Sequence, residues 1–139
     1  MQTSARNHFA GKIVEIKSGA VNDEIVLQVG DTKLVAVVTQ ESTRSLGLAV
    51  GKQASALIKA SSVIVMVDCD PAKISARNTL VGTVSNVKPG AVNSEVTLSS
   101  DGLAIVAIIT NESATRLALA SGKSACAVFK ASSVLIAVD

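Results

Sequence analysis

Sliding the chain over itself by 71 residues superposes Ser4–Asp68 on Ser75–Asp139 without a gap, and 31 of the 65 aligned positions are identical. This duplication constrains the fold more than any single motif does. Whatever the chain forms must be buildable twice from a unit of about 65 residues, which buries only a small core of its own. The division that follows is a first domain over residues 1–68, a linker over 69–74, and a second domain over 75–139. Pro71 marks the linker: it has no amide hydrogen for a ladder, and it disfavours helix at Asp70 before it.

Within each copy the periodicity is that of β-structure. Ile25, Leu27 and Val29 alternate with Val26 and Gln28, as a half-buried strand requires. Gly30-Asp31, replaced by Asp101-Gly102 in the second copy, then reads as a hairpin turn. Leu34–Val38 and Ile105–Ile109 are apolar on both faces and need cover on both. Ile13 and Ile16, matched by Val84 and Val87, break strict alternation in the first strand, which a β-bulge reconciles. Thr39 and Thr110 are good N-caps. Glu41 suits the positive end of a helix dipole, and Gly47 and Gly51 limit the helix to about two turns. Two more apolar runs, Ala54–Ile58 and Val63–Val67, flank Lys59-Ala60-Ser61-Ser62. Three strands, a short helix and two strands is the order of an OB-type barrel. The expected fold is therefore all-β: two tandem OB-like five-stranded β-barrels, each with one short helix between strands 3 and 4. The apolar outer face of Val63–Val67 and Val134–Val138 calls for packing between repeats and between chains.

Composition narrows the function. Hydrophobic residues make up 48% of the chain, yet there are two Phe and no Trp or Tyr, and the net charge is +2. Surfaces that hold single-stranded nucleic acid stack bases on aromatic rings and carry strong positive charge, so this chain fits that class poorly. Met1–Ala10 carries Arg6, Asn7 and His8 where a signal peptide needs an apolar stretch, and no run approaches the length of a membrane span. A soluble cytoplasmic protein is expected. Cys69 and Cys126 occupy non-equivalent positions of the two repeats, so neither a structural disulfide nor a metal-cation cluster is expected. His8, the one histidine, is Thr79 in the second copy and cannot belong to a site built twice. No spacing pairs the repeated carboxylates Glu24/Glu95 and Glu41/Glu112 as acid and base. There is neither a Gly-rich phosphate loop nor a nucleophile elbow, and no catalytic residue is expected.

The repeated polar motifs point to an anion. Ser4-Ala5-Arg6-Asn7 and Ser75-Ala76-Arg77-Asn78 combine a guanidinium fork with neutral donors. Thr39 with Ser42, and Thr110 with Ser113, stand at helix starts, where they can serve as caps or face an anion. Lys59 and Lys130 open the Lys-Ala-Ser-Ser turns. Gly19-Ala20-Val21-Asn22 and Gly90-Ala91-Val92-Asn93 read as β-turns.

Taken together, Ser-Ala-Arg-Asn, Gly-Ala-Val-Asn-x-Glu, Thr-[Gln/Asn]-Glu-Ser, Leu-x-Leu-x-x-Gly-Lys and Lys-Ala-Ser-Ser-Val cover essentially all of both repeats. In that order they resemble the Mop, or molbindin, family, whose members bind molybdate or tungstate. Two tandem copies resemble its di-Mop form, which implies a homotrimer of double barrels with oxyanions held at interfaces between barrels. The resemblance implies one site set of Ser4, Arg6, Thr39, Ser42, Lys59 and Ala60, and another of Ser75, Arg77, Thr110, Ser113, Lys130 and Ala131. Asn7, His8, Asn22, Asn78 and Asn93 are candidates for a second kind of site. The expected role is molybdenum storage and homeostasis, with molybdate or tungstate as ligand, no catalytic cofactor, and neither nucleic acid nor membrane as partner. The alternatives are a molybdate-sensing module acting through a separate partner and, from another class, an OB-fold nucleic-acid binder.

Overall fold

The apolar alternation becomes two five-stranded antiparallel sheets in the computed structural model, which describes every residue from Met1 to Asp139. The first copy forms β1 (Asn7–Ser18), β2 (Asn22–Val29), β3 (Thr32–Thr39), α1 (Gln40–Ser45), β4 (Gln53–Ile58) and the short β5 (Ile64–Met66). The second copy forms β6 (Asn78–Pro89), β7 (Asn93–Ser100), β8 (Leu103–Thr110), α2 (Asn111–Arg116), β9 (Ser124–Phe129) and β10 (Leu135–Ala137). A 3-10 turn precedes each short last strand, at Ala60–Ser62 and Ala131–Ser133. Ile13, Ile25 and Leu27 are fully buried, and each such side chain contributes about 1.5–3 kcal/mol by leaving water. The expected irregularity in the first strand is a register shift between Ile13 and Glu15, repeated between Val84 and Asn86. It turns Ile16 back toward the face of Ile13.

The last strands are exchanged between the copies. The first sheet runs β10-β4-β1-β2-β3 and the second β5-β9-β6-β7-β8. Leu135 pairs with Leu57 and Ile136 with Ala56, while Ile64 pairs with Val128 and Met66 with Cys126. In the first sheet the edge strands β3 and β10 also pack on each other, so the sheet curls toward closure in OB-barrel order; β5 and β8 do the same in the second. The compact units are accordingly Met1–Ile58 with Lys130–Asp139, and Lys59–Phe129. A division at residues 69–74 follows the duplication, whereas the packing cuts across it. The exchange also supplies the cover that β3 needs. Val35 and Val26 turn away from the main core and are buried against Ala131 of the incoming turn, with Val37 alongside.

Cys69 and Cys126 form a disulfide, which corrects the expectation drawn from their non-equivalent positions. That expectation paired each last strand with its own copy. There, the residue facing Met66 would be Ser55, the counterpart of Cys126. Exchange instead lays β5 along β9 and carries Cys69 back to Cys126, with Cα atoms 6.6 Å apart. Between the two copies, Pro71–Lys73 makes a 3-10 turn capped by Asp70, whose carboxylate accepts from the Ala72 amide at 3.0 Å.

Candidate oxyanion site

Two short helices fix the first group of polar side chains. Thr39 Oγ1 accepts from the Ser42 amide at 3.1 Å and its hydroxyl donates to Ser42 Oγ at 2.8 Å. Thr110 and Ser113 repeat both bonds at 3.1 and 2.9 Å. The threonines are thus N-caps, with oxygen and proton both engaged. Ser42 and Ser113 each keep a hydroxyl proton that the cap does not use. Asn22 pairs with Thr39 across the β2–β3 ladder, and Asn93 with Thr110, so both asparagines stand exposed beside a helix start.

A connection that the motifs did not announce locks the helix to the preceding turn. The Gln40 amide donates to the Val21 carbonyl at 3.0 Å and its side chain donates to the Gly19 carbonyl. In the second copy Asn111 Nδ2 donates to the Gly90 carbonyl at 2.9 Å. The sole sequence signal for this tie was an amide side chain after each capping threonine. Val21 and Val92, at the tips of those turns, are each 71% exposed. Lys52 and Lys123 close the other end of each helix through the Leu46 and Leu117 carbonyls, at 2.8 and 2.6 Å.

The second group lies where β1 begins. Ser4 and Arg6, like Ser75 and Arg77, are exposed just before a strand. Asn7 is 1% exposed and donates from Nδ2 to the Ile58 carbonyl at 3.2 Å, which closes the β1–β4 ladder one residue before Lys59 in the chain. Asn78 is equally buried and pairs with Phe129, one residue before Lys130. The two asparagines therefore belong to the framework of the ladder end. His8 is exposed on β1, opposite Leu57. Lys59 and Lys130 are exposed, whereas Ala60 and Ala131 are buried.

By compact unit, Ser4, Arg6, Thr39 and Ser42 fall with Lys130 and Ala131. Ser75, Arg77, Thr110 and Ser113 fall with Lys59 and Ala60. Each unit holds one full complement of these residue types, but the lysine and alanine come from the other copy. The Arg, Lys and Ser side chains of the set offer cations and hydroxyl donors. The Thr39 and Thr110 protons are already given to Ser42 and Ser113, and the nearby carboxylates of Glu41 and Glu112 are exposed. No group of three His, Cys, Asp or Glu side chains is placed to hold a metal cation, and no helix is long and apolar enough to cross a membrane.

A family model described as "TOBE domain" matches residues 3–65 and again residues 74–136. The chain belongs to the TOBE domain family. Its two TOBE domains match, over 100% of both chains, a crystal structure of the cytoplasmic molybdate-binding protein ModG with molybdate bound, at 48% identity and a TM-score of 0.95. Molybdenum transport protein ModE of Azotobacter vinelandii is 43% identical over 99% of this chain and 52% of its own length. Molybdenum-pterin-binding protein MopA of Rhodobacter capsulatus is 43% identical over 99% of this chain and 53% of its own. The chain thus spans about half the length of these two relatives. The tandem TOBE domains and these relatives bear out the resemblance to the di-Mop form.

Proposed function

We propose that this chain binds molybdate or tungstate as a cytoplasmic storage and homeostasis protein, without catalysing a reaction. The observation that carries this reading is the full-length match to a protein with molybdate bound, at 48% identity. The chemistry agrees with it. Molybdate at neutral pH is a tetrahedral dianion whose four oxygens accept hydrogen bonds and donate none, so it calls for hydroxyls, amides and cations. The repeated Ser, Arg and Lys side chains supply those groups, the Thr39 and Thr110 hydroxyls orient Ser42 and Ser113, and nothing in the set offers a nucleophile with an adjacent base. The proposed site residues are Ser4, Arg6, Thr39, Ser42, Lys59 and Ala60 from the first repeat, and Ser75, Arg77, Thr110, Ser113, Lys130 and Ala131 from the second. They lie at interfaces between barrels of a homotrimer, and Asn22 and Asn93 are better placed for a second kind of site than the buried Asn7 and Asn78. A ligand shared between chains stabilises the assembly by mass action.

Native mass spectrometry with and without molybdate reads oligomer and stoichiometry together. Several molybdates on a trimer, at least two per chain, is the expected result. Absence of bound molybdate and tungstate at micromolar concentrations would overturn the reading. A second reading, as a sensing module, is favoured by the ModE relatives, in which a chain of this kind makes up about half the protein. Molybdate-dependent capture of a DNA-binding partner would decide for it.

A further inference from the structure

The disulfide between Cys69 and Cys126 stands where it can control one exchanged strand and leave the other alone. β5 has three residues, Ile64–Met66, and its ladder partner is β9. Cys69 follows closely on β5 and Cys126 faces Met66, so the bond clamps the end of this strand to the strand it has joined. The other exchanged strand has no such clamp: β10 meets Ala137 against Ser55, where no thiol exists. The two sulfurs differ in access. Cys126 is 2% exposed, whereas Cys69 is half-buried and lines an open cavity of about 480 Å³ that also presents Lys73 and Arg116. A small thiol therefore reaches one sulfur and not the other, in a cavity where Asp68 and Asp70 offset the charge of the two cations.

We propose that Cys69–Cys126 is a reversible redox latch on the exchanged segment Lys59–Cys69. In a reducing compartment thiols are the resting state, and an oxidising shift closes the bond. Opening proceeds by attack of an external thiolate, of the glutathione class, on Cys69 Sγ. The Cys69–Cys126 bond breaks, Cys126 leaves as a thiolate and takes up a proton, and Cys69 is held as a mixed disulfide. A second external thiolate attacks the outer sulfur of that mixed disulfide and releases Cys69, which takes up the second proton. Two external thiols become one disulfide, and the protein gains two electrons and two protons. Closing is the reverse, with the small disulfide as oxidant. The segment that the latch tightens begins with Lys59 and Ala60, so its state sets how firmly that turn is held on the second unit.

Hydrogen exchange of the intact protein, after oxidised glutathione and after dithiothreitol, tests the latch, with alkylation and mass measurement to count thiols. Oxidation is expected to consume both thiols and to slow exchange of the β5 amides about tenfold or more, since cross-linking restricts local opening. The β10 amides should not respond. Cys69→Ser and Cys126→Ser should exchange at the reduced rate under both conditions; serine at the second site copies Ser55. Two alkylatable thiols after oxidation would overturn the proposal, as would a closed bond that leaves β5 exchange unchanged. The wild-type comparison decides even if a variant folds poorly. No arm involves molybdate, so failure here is separable from failure of the binding proposal.

Discussion

Leu135 sits opposite Leu57 in the β10–β4 ladder, so the last strand written in the second copy completes the sheet of the first. Removing residues 130–139 should therefore damage the half of the chain farther away in sequence. β4 loses β10 and becomes an edge strand held by β1 alone, and Val26 and Val35 lose the cover of Ala131. Hydrogen exchange should show Gln53–Ile58 deprotected while Ser124–Phe129, still paired with β5 and β6, stays protected. Were each repeat self-contained, the loss would fall on Ser124–Phe129 instead.

The helix ends offer a comparison that the duplication has already set up. Gly47 follows α1 with φ of 61°, and its counterpart after α2 is Ala118, held at 52°. A left-handed backbone costs an alanine about 1 kcal/mol relative to glycine. Ala118→Gly should therefore stabilise the second unit by up to about 1 kcal/mol, less what glycine adds to the entropy of the unfolded chain. Gly47→Ala should destabilise the first by a similar amount. Urea denaturation of the two variants checks both signs, and a loss of stability in Ala118→Gly would contradict the account.

Strand periodicity, the bulge beside Ile13 and the capping threonines were legible because each is set by residues close in sequence. The exchange was not, and the reason is physical. Lys59-Ala60-Ser61-Ser62-Val63 and Lys130-Ala131-Ser132-Ser133-Val134 are identical, and the strands that follow differ only among apolar residues. Either strand therefore suits either sheet, and local pattern cannot choose between them. The disulfide was missed for the same cause, since Cys69 reaches Cys126 only if β5 has changed sheets. Among candidate site residues, motif resemblance could not separate Asn7 and Asn78 from ligand-facing groups. Their burial at the ladder end, 1% exposed each, favours a framework role for both.

Asp23 and Ser94 are counterparts, and only the serine is well satisfied. Asp23 is 4% exposed on β2, and its Oδ1 has no hydrogen-bond partner. Ser94 is as buried, but its hydroxyl donates to Asn111 Oδ1 at 2.6 Å. An unsatisfied buried acceptor costs about 1–3 kcal/mol. The double substitution Asp23→Ser with Gln40→Asn copies the arrangement of the second unit and should raise stability by about 1 kcal/mol or more. Chemical denaturation reads it directly. An unchanged or lowered midpoint would mean that Asp23 holds something the serine cannot.

The two arginines allow the proposed sites to be assigned one repeat at a time. Arg6 and Arg77 are exposed counterparts before β1 and β6, and each offers a planar fork that lysine cannot reproduce. Loss of a charge-assisted hydrogen bond to a dianion should weaken binding about tenfold or more. Arg6→Ala should lower molybdate affinity at sites built from the first repeat and spare those built from the second; Arg77→Ala should do the converse. Arg6→Lys should fall between Arg6→Ala and the wild type, because charge is kept and geometry is lost. Calorimetric titration of the three variants, with sulfate as a competing tetrahedral dianion, separates the two classes of site. Equal loss at both classes from either alanine variant would show that the sites do not divide along the repeats.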